Sequence, residues 1–139
     1  MRILSLLILV FLPFSAWAQD NPILQRMSAF VQAYNAQDVA TIASFYSSDA
    51  VLLPPKEKAL VGRDAIAAHY ARAFAAGAKG LQSKTFDIRP INSAAAVEVG
   101  ETVVNVGAQR VVGRYMHLWQ IEDGQLLLTR DMYHLLKIE

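Results

Sequence analysis

The chain has 139 residues, thirteen Lys and Arg against twelve Asp and Glu, a formal net charge of +1 and no cysteine. That length supports one domain. The near balance of charge, with no Lys/Arg cluster, makes nucleic acid and anionic membrane surfaces poor partners, because both need concentrated positive charge. Without cysteine there is no disulfide, thiolate metal ligand or thiol nucleophile, and stability must come from packing.

Residues 1–18 read as a secretory signal peptide. Arg2 supplies the positive start, Ile3 to Leu12 the apolar run, Pro13 the break, and Ala16-Trp17-Ala18 an A-x-A cleavage signal before Gln19. The run is too short for a membrane anchor, which needs roughly 18 apolar residues. The mature chain, 19–139, is therefore expected in the periplasm or outside the cell. Loss of Arg2 leaves its basic and acidic residues equal in number.

Asp20-Asn21-Pro22 opens a first helix, with Ile23, Met27, Phe30, Val31 and Tyr34 at helical spacing. Asn35 and Asp38 are expected to act locally, in turn and cap. A second helix carries Val39, Ile42, Phe45 and Tyr46, and Ala50 to Leu53 follow as a short buried strand ended by Pro54-Pro55. Pro54 to Val61 reads as a loop, with Lys56, Glu57 and Lys58 at a solvated tip. A third helix, from about Asp64 to Ala76, carries Ile66, Tyr70 and Phe74 on one stripe and is closed by Gly77 and Gly80.

Strands are then expected over 85–90, 94–106, 110–121 and 126–138, with Gly100 marking a bulge or bend. Three helices followed by a meander of long antiparallel strands is an α+β plan. A strongly curved sheet wrapped on helices leaves a conical cavity between them. The last two strands turn at Asp123-Gly124, and period-two alternation puts Tyr115, His117, Trp119 and Ile121 on one face of the first. His117 and Asp131 lie equally far along the chain from Gly124, which places them opposite one another.

Phe30 to Asp38, Phe45 to Pro55, Gly62-Arg63-Asp64-Ala65-Ile66, Ala96 to Gly100, Gly113-Arg114-Tyr115, and Trp119 through Asp123-Gly124 to Tyr133 occur in an order that resembles the nuclear transport factor 2-like superfamily. The similarity is to its small bacterial SnoaL-like proteins, including domains of unknown function related to ketosteroid isomerase. The resemblance implies a cone of three helices on a curved antiparallel sheet. It does not transfer an activity, since the fold hosts isomerases, dehydratases, cyclases, epoxide hydrolases and plain binding modules. The isomerase branch places its general-base Asp at a position that is here Pro54, or Leu53 with a one-residue slip. Neither accepts a proton, so that chemistry is disfavoured.

Asp131 is the acid/base candidate: among Tyr115, Trp119 and Tyr133 it would be desolvated, which suits proton transfer. The alternative is a structural ion pair with Arg114 or Arg110. One of Arg130 and Asp131 should line the cavity. His117 could shuttle a proton or orient a ligand carbonyl, or simply be a hydrogen-bonded wall residue. Tyr34, Tyr46 and Tyr70, on the inward stripes of three helices, could form a carbonyl-binding site, or could each bond to the rim or to backbone. His69 faces the cavity mouth or solvent, and His134 faces away.

The three histidines lack the i, i+4 spacing of a helical zinc pair, and no metal or cofactor is expected. The leading expectation is a cavity for a small, largely apolar ligand, walled by Tyr34, Tyr46, Tyr70, Tyr115, Trp119 and Tyr133. The alternatives are a lyase, isomerase or cyclase acting on a carbonyl substrate through Asp131 and His117, and a non-catalytic dimerisation module. A homodimer would form through the outer sheet face, where Arg114, Met116 and Leu118 lie.

Overall fold

A computed structural model describes residues 21–139; the signal-peptide reading of 1–18 lies outside the described residues. Helix α1 spans Pro22–Asn35. Asn21 caps it, its Oδ1 accepting from the Ile23 N–H at 2.9 Å, and Pro22 sits where no N–H is needed. Ile23, Met27, Phe30, Ala33 and Tyr34 form its buried stripe. Asn35 does not act locally: its side chain accepts from Leu81 N–H at 2.7 Å and donates to Leu81 O at 3.0 Å, tying α1 to a distant strand.

Helix α2 is only Val39–Ser44, capped by Asp38, whose Oδ1 accepts from the Thr41 N–H at 3.0 Å. Strand β1, Tyr46–Leu53, begins almost at once, so Tyr46 belongs to a strand and not to a helix. The apolar stripe runs on through Phe45 and Tyr46, which hides the change of element. Tertiary bonds impose it: Phe45 O accepts from Leu128 N–H at 2.9 Å, and the Arg63 guanidinium donates to Tyr46 O at 2.7 Å.

The loop after β1 contains a two-residue strand, β2 (Leu60–Val61), paired antiparallel to β1. Helix α3 is Arg63–Ala75. Strands β3 (Ala78–Asn92), β4 (Ala95–Val106), β5 (Gln109–Glu122) and β6 (Gln125–Ile138) complete the chain. Strand β3 begins well before residue 85. Gly77 closes α3 as expected, its N–H donating to Phe74 O at 2.9 Å with a positive φ, but Gly80 lies inside β3 and not at a helix end.

The six strands form one sheet in the order β2-β1-β6-β5-β4-β3, antiparallel throughout except for β1 beside β6, which is parallel. Helices α1 and α3 pack into its concave face, with Phe30 edge-on to Phe45 and Tyr70 at 5.5 and 5.9 Å. Gly100 carries no break in β4; the register shift faces it on β3, between Thr85 and Asp87. A Cβ on Gly100 would lie 2.3 Å from the Tyr115 hydroxyl oxygen, so this glycine is required by the ring that crosses it.

The last hairpin turns through Asp123 (φ 50°) and Gly124 (φ 76°), the two positive values of a type I′ turn. This two-residue turn sets Glu122 opposite Gln125, a register that by itself would bring Arg130 to His117. A bulge at Thr129 inserts one residue, and His117 pairs with Asp131. Among the described residues no helix is long and apolar enough to cross a membrane.

Candidate functional site

Between the helices and the concave sheet lies a cavity of about 360 Å³, not filled by the protein's own side chains. That volume is within the range of small-molecule sites. Helix α1 contributes Met27, Phe30 and Tyr34, and α3 contributes His69, Tyr70 and Ala73. Strands β4 to β6 contribute Val104, Tyr115, His117, Asp131 and Tyr133, among others. The wall is mostly apolar, with polar side chains at Tyr34, Glu57, His69 and Tyr70 on one side and a buried group on the inner face of the β5–β6 hairpin on the other.

The centre of that group is a glutamate. Glu98 of β4 is fully buried and is the register partner of His117. Its Oε1 accepts from Thr85 Oγ1 at 2.7 Å and Tyr115 Oη at 2.9 Å. Its Oε2 accepts from His117 Nδ1 at 3.1 Å and Trp119 Nε1 at 2.8 Å. Four donors fill a carboxylate that has about four acceptor positions. Burial alone would raise the Glu98 pKa, but the His117 contact and the other hydrogen bonds outweigh it and hold the carboxyl below its ordinary value.

His117 is clamped between two acids. With Nδ1 on Glu98, its Nε2 points to Asp131 Oδ1 at 3.4 Å. Its ring stacks on Tyr115 at 4.2 Å. Burial is the largest single influence and would lower its pKa, yet the charge of Asp131 and the bond and charge of Glu98 together raise it to about 9. The ring is therefore an imidazolium at neutral pH, with a proton on each nitrogen.

Asp131 is 5% exposed and its two oxygens differ. Oδ2 accepts from Tyr46 Oη at 2.7 Å; Oδ1 accepts no hydrogen bond within the protein, His117 Nε2 being close but poorly aligned. Tyr46 has one hydroxyl hydrogen and gives it to Asp131, so the 2.9 Å contact between Tyr46 and Tyr70 must run from Tyr70 to Tyr46. Burial, and then the charge of Asp131, push both phenols well above their ordinary pKa, so they keep these hydrogens. Burial likewise pushes Tyr115 up to about 12, and its hydrogen goes to Glu98.

At the other side, His69 Nε2 lies 2.9 Å from Tyr133 Oη and its Nδ1 lies 3.7 Å from Glu57 Oε2. Burial lowers the His69 pKa despite Glu57, so the ring is neutral. The tautomer protonated on Nδ1 faces the Glu57 carboxylate and leaves Nε2 to accept from Tyr133. Glu57 also lies 3.6 Å from Arg72, yet it stays exposed on its loop with Lys56 and Lys58, as expected of a solvated tip.

Of the residues singled out in the sequence, Tyr34, Tyr70, Tyr115, His117, Asp131 and Tyr133 reach the cavity wall. Tyr46 and Trp119 do not: both are fully buried behind it and act through Asp131 and Glu98. Ile121 is 49% exposed. Neither arginine pairs with Asp131, since Arg114 meets Glu101 at 3.6 Å and Arg110 meets Glu139. Arg130 and His134 are exposed. Glu98 was missed, although alternation from Val104 and Thr102 puts it on the inward face of β4. Among the described residues no three His, Asp or Glu side chains group as a metal site would need.

A family profile described as a SnoaL-like domain matches residues 27–128. A ketosteroid isomerase-like protein from Erwinia carotovora atroseptica has the same fold, with TM-score 0.74 and 19% identity over 83% of this chain and 94% of that one. So has a Nostoc punctiforme domain of unknown function with a cystatin-like fold, with TM-score 0.73 and 18% identity over 88% and 80%. A Novosphingobium aromaticivorans protein provisionally named a scytalone dehydratase aligns with TM-score 0.70 and 14% identity over 84% and 83%. No curated protein sequence matches the chain. At these identities the solved structures establish the fold alone, while the profile, covering most of the chain, establishes that it belongs to the SnoaL-like family of nuclear transport factor 2-like proteins.

Proposed function

We propose that this protein is exported and binds a small, largely apolar molecule in the cavity, with the molecule's polar group seated at Asp131. One observation carries the reading. Asp131 Oδ1 is buried at the wall of a mostly apolar cavity and accepts no hydrogen bond from the protein. A buried acceptor left unpaired costs about 1–3 kcal/mol, and more when charged, so a bound partner for it recovers that cost. Export rests on Arg2, the apolar run and Ala16-Trp17-Ala18. A second copy would cover the outer face of β5 and β6, where neighbouring Met116 and Met132 are 48% and 46% exposed.

A second reading, a lyase, isomerase or cyclase, is favoured by the 3.4 Å approach of His117 to Asp131 at the wall. In it Asp131 Oδ1 takes a proton from the substrate while the imidazolium steadies the carboxylate. The end of β1, where the isomerase branch would put its base, carries exposed Leu53 and buried Pro54; the carboxyl stands one strand away, Asp131 beside Leu52.

Native mass spectrometry of the protein expressed with its own leader tests the proposal. The expected species begins at Gln19, is a dimer, and carries a small apolar molecule. The neutral fluorophore N-phenyl-1-naphthylamine should bind once per chain, and Ala73→Trp, which fills the cavity from α3, should abolish uptake. A protein that arrives empty and leaves the fluorophore in water has no ligand cavity in solution.

A further inference from the structure

The directions of the hydrogen bonds say more about the ligand than the shape of the cavity does. Each phenol has a single hydrogen. Tyr46 gives its own to Asp131, Tyr70 to Tyr46, Tyr115 to Glu98, and Tyr133 to the neutral His69. Three tyrosine oxygens on the wall, those of Tyr70, Tyr115 and Tyr133, can therefore only accept. So can Asp131 Oδ1, which faces the His117 cation at 3.4 Å but accepts no hydrogen bond. The tyrosines that looked suited to polarising a carbonyl have spent the hydrogens needed to do so.

The uncommitted hydroxyls on the wall are Tyr34 and Thr102, neither hydrogen-bonded to Asp131. A carbonyl ligand bound to them would bring further lone pairs into an acceptor-rich space and leave Asp131 Oδ1 unpaired. Charge points the same way. Two buried carboxylates, Glu98 and Asp131, face one buried cation, His117, so the cluster is one positive charge short. The rings of Phe30, Tyr34 and Tyr70 complete a wall suited to an organic cation, since aromatic faces attract cations and tolerate the hydrocarbon that carries them.

We infer that the cavity selects a small apolar amine, whose ammonium group donates to Asp131 Oδ1 and supplies the missing positive charge. The inference rests on the ligand-binding reading above and adds the chemical class of the ligand.

Three probes with one ring system and different head groups test it: 1-naphthylmethylamine, 1-naphthylmethanol and 1-acetonaphthone, titrated calorimetrically into the whole protein at pH 7.5. The amine should bind at least tenfold more tightly than either neutral probe, a gap of about 1.4 kcal/mol. Asp131→Asn, which removes the charge and turns one oxygen into a donor, should erase that gap. A ketone that binds as tightly as the amine overturns the inference, and so does an alcohol that equals it. If none of the three binds while N-phenyl-1-naphthylamine still does, the amine assignment is wrong and the cavity reading stands. If the fluorophore also fails, both are wrong. Should Asp131→Asn not fold, the ranking on the unaltered protein still decides.

Discussion

His117 lies between two buried acids that have opposite surroundings. Glu98 is closed in by Thr85, Tyr115, His117 and Trp119, and both of its oxygens are filled. Asp131 has one oxygen on Tyr46 and the other without a hydrogen bond, at the cavity wall. A buried charge whose every acceptor position is met behaves as part of the frame; one with an open position is available to something that enters. Burial alone, which both acids share, does not separate a structural group from a binding one, whereas counting hydrogen-bond partners does.

The comparison breaks most readily at Glu98. Glu98→Gln would put an amide NH₂ against two of the four donors and leave the His117 cation facing a single acid. Removing one partner from a buried ion pair costs about 3–5 kcal/mol, and a loss of that order in denaturant unfolding is expected. Asp131→Asn also takes one acid from His117 but empties no filled acceptor shell, so its loss should be clearly smaller than that of Glu98→Gln. Its remaining oxygen still accepts from Tyr46, and its NH₂ can face a His117 that has given up its Nε2 proton. Equal losses for the two variants would show that Asp131 is as structural as Glu98.

The pH dependence of stability isolates the group between them. The folded His117 pKa of about 9 lies above its ordinary 6.5. Below pH 6.5 both folded and unfolded chains hold the proton, and the full contribution is present. Between 6.5 and 9 the unfolded chain has lost it while the folded one keeps it, so stability falls as pH rises. The fall should be of order 3 kcal/mol across that window. His69 has the opposite sign: its pKa is lowered, first by burial, so its contribution is lost as pH falls. Unfolding measured from pH 6 to 10 should show the decline, and His117→Gln should flatten it. A flat profile in the unaltered protein would mean that the two acids do not hold the imidazolium.

Much of this was legible in the sequence because it follows local rules. Asn21-Pro22, Asp38 and Asp123-Gly124 announce caps and a turn, and alternation along β5 puts Tyr115, His117 and Trp119 on one face. The His117–Asp131 pair was found by counting from Gly124, yet it exists because the Thr129 bulge corrects the register of a two-residue turn. What stayed hidden depends on partners far along the chain. Tyr46 leaves the helix for a strand because Leu128 and Arg63 bind the backbone there. Glu98 reads as an ordinary strand glutamate until β3 and β5 bring it four donors. The direction in which each phenol spends its hydrogen is a property of the assembled network, and no single tyrosine in the sequence reveals it.

The smallest effect is also the most local. The Tyr115 ring passes over Gly100 so closely that an added Cβ would sit 2.3 Å from the hydroxyl oxygen and 2.4 Å from Cζ. The φ of Gly100 is not left-handed, so Gly100→Ala tests space and not backbone strain. Overpacking of this kind costs about 1–3 kcal/mol. The ring can yield only by drawing its hydroxyl off Glu98 and its face off His117, which couples this site to the closed acid and not to the open one. Gly100→Ala should therefore shift the imidazole proton resonances of His117 while the affinity for 1-naphthylmethylamine changes by less than about threefold, under 1 kcal/mol. Combined with Tyr115→Leu, which removes the ring but leaves the Lys84 carbonyl oxygen 2.6 Å from the same Cβ, the two changes should be less than additive. Additive losses would mean that Gly100 is needed for some reason other than the ring above it.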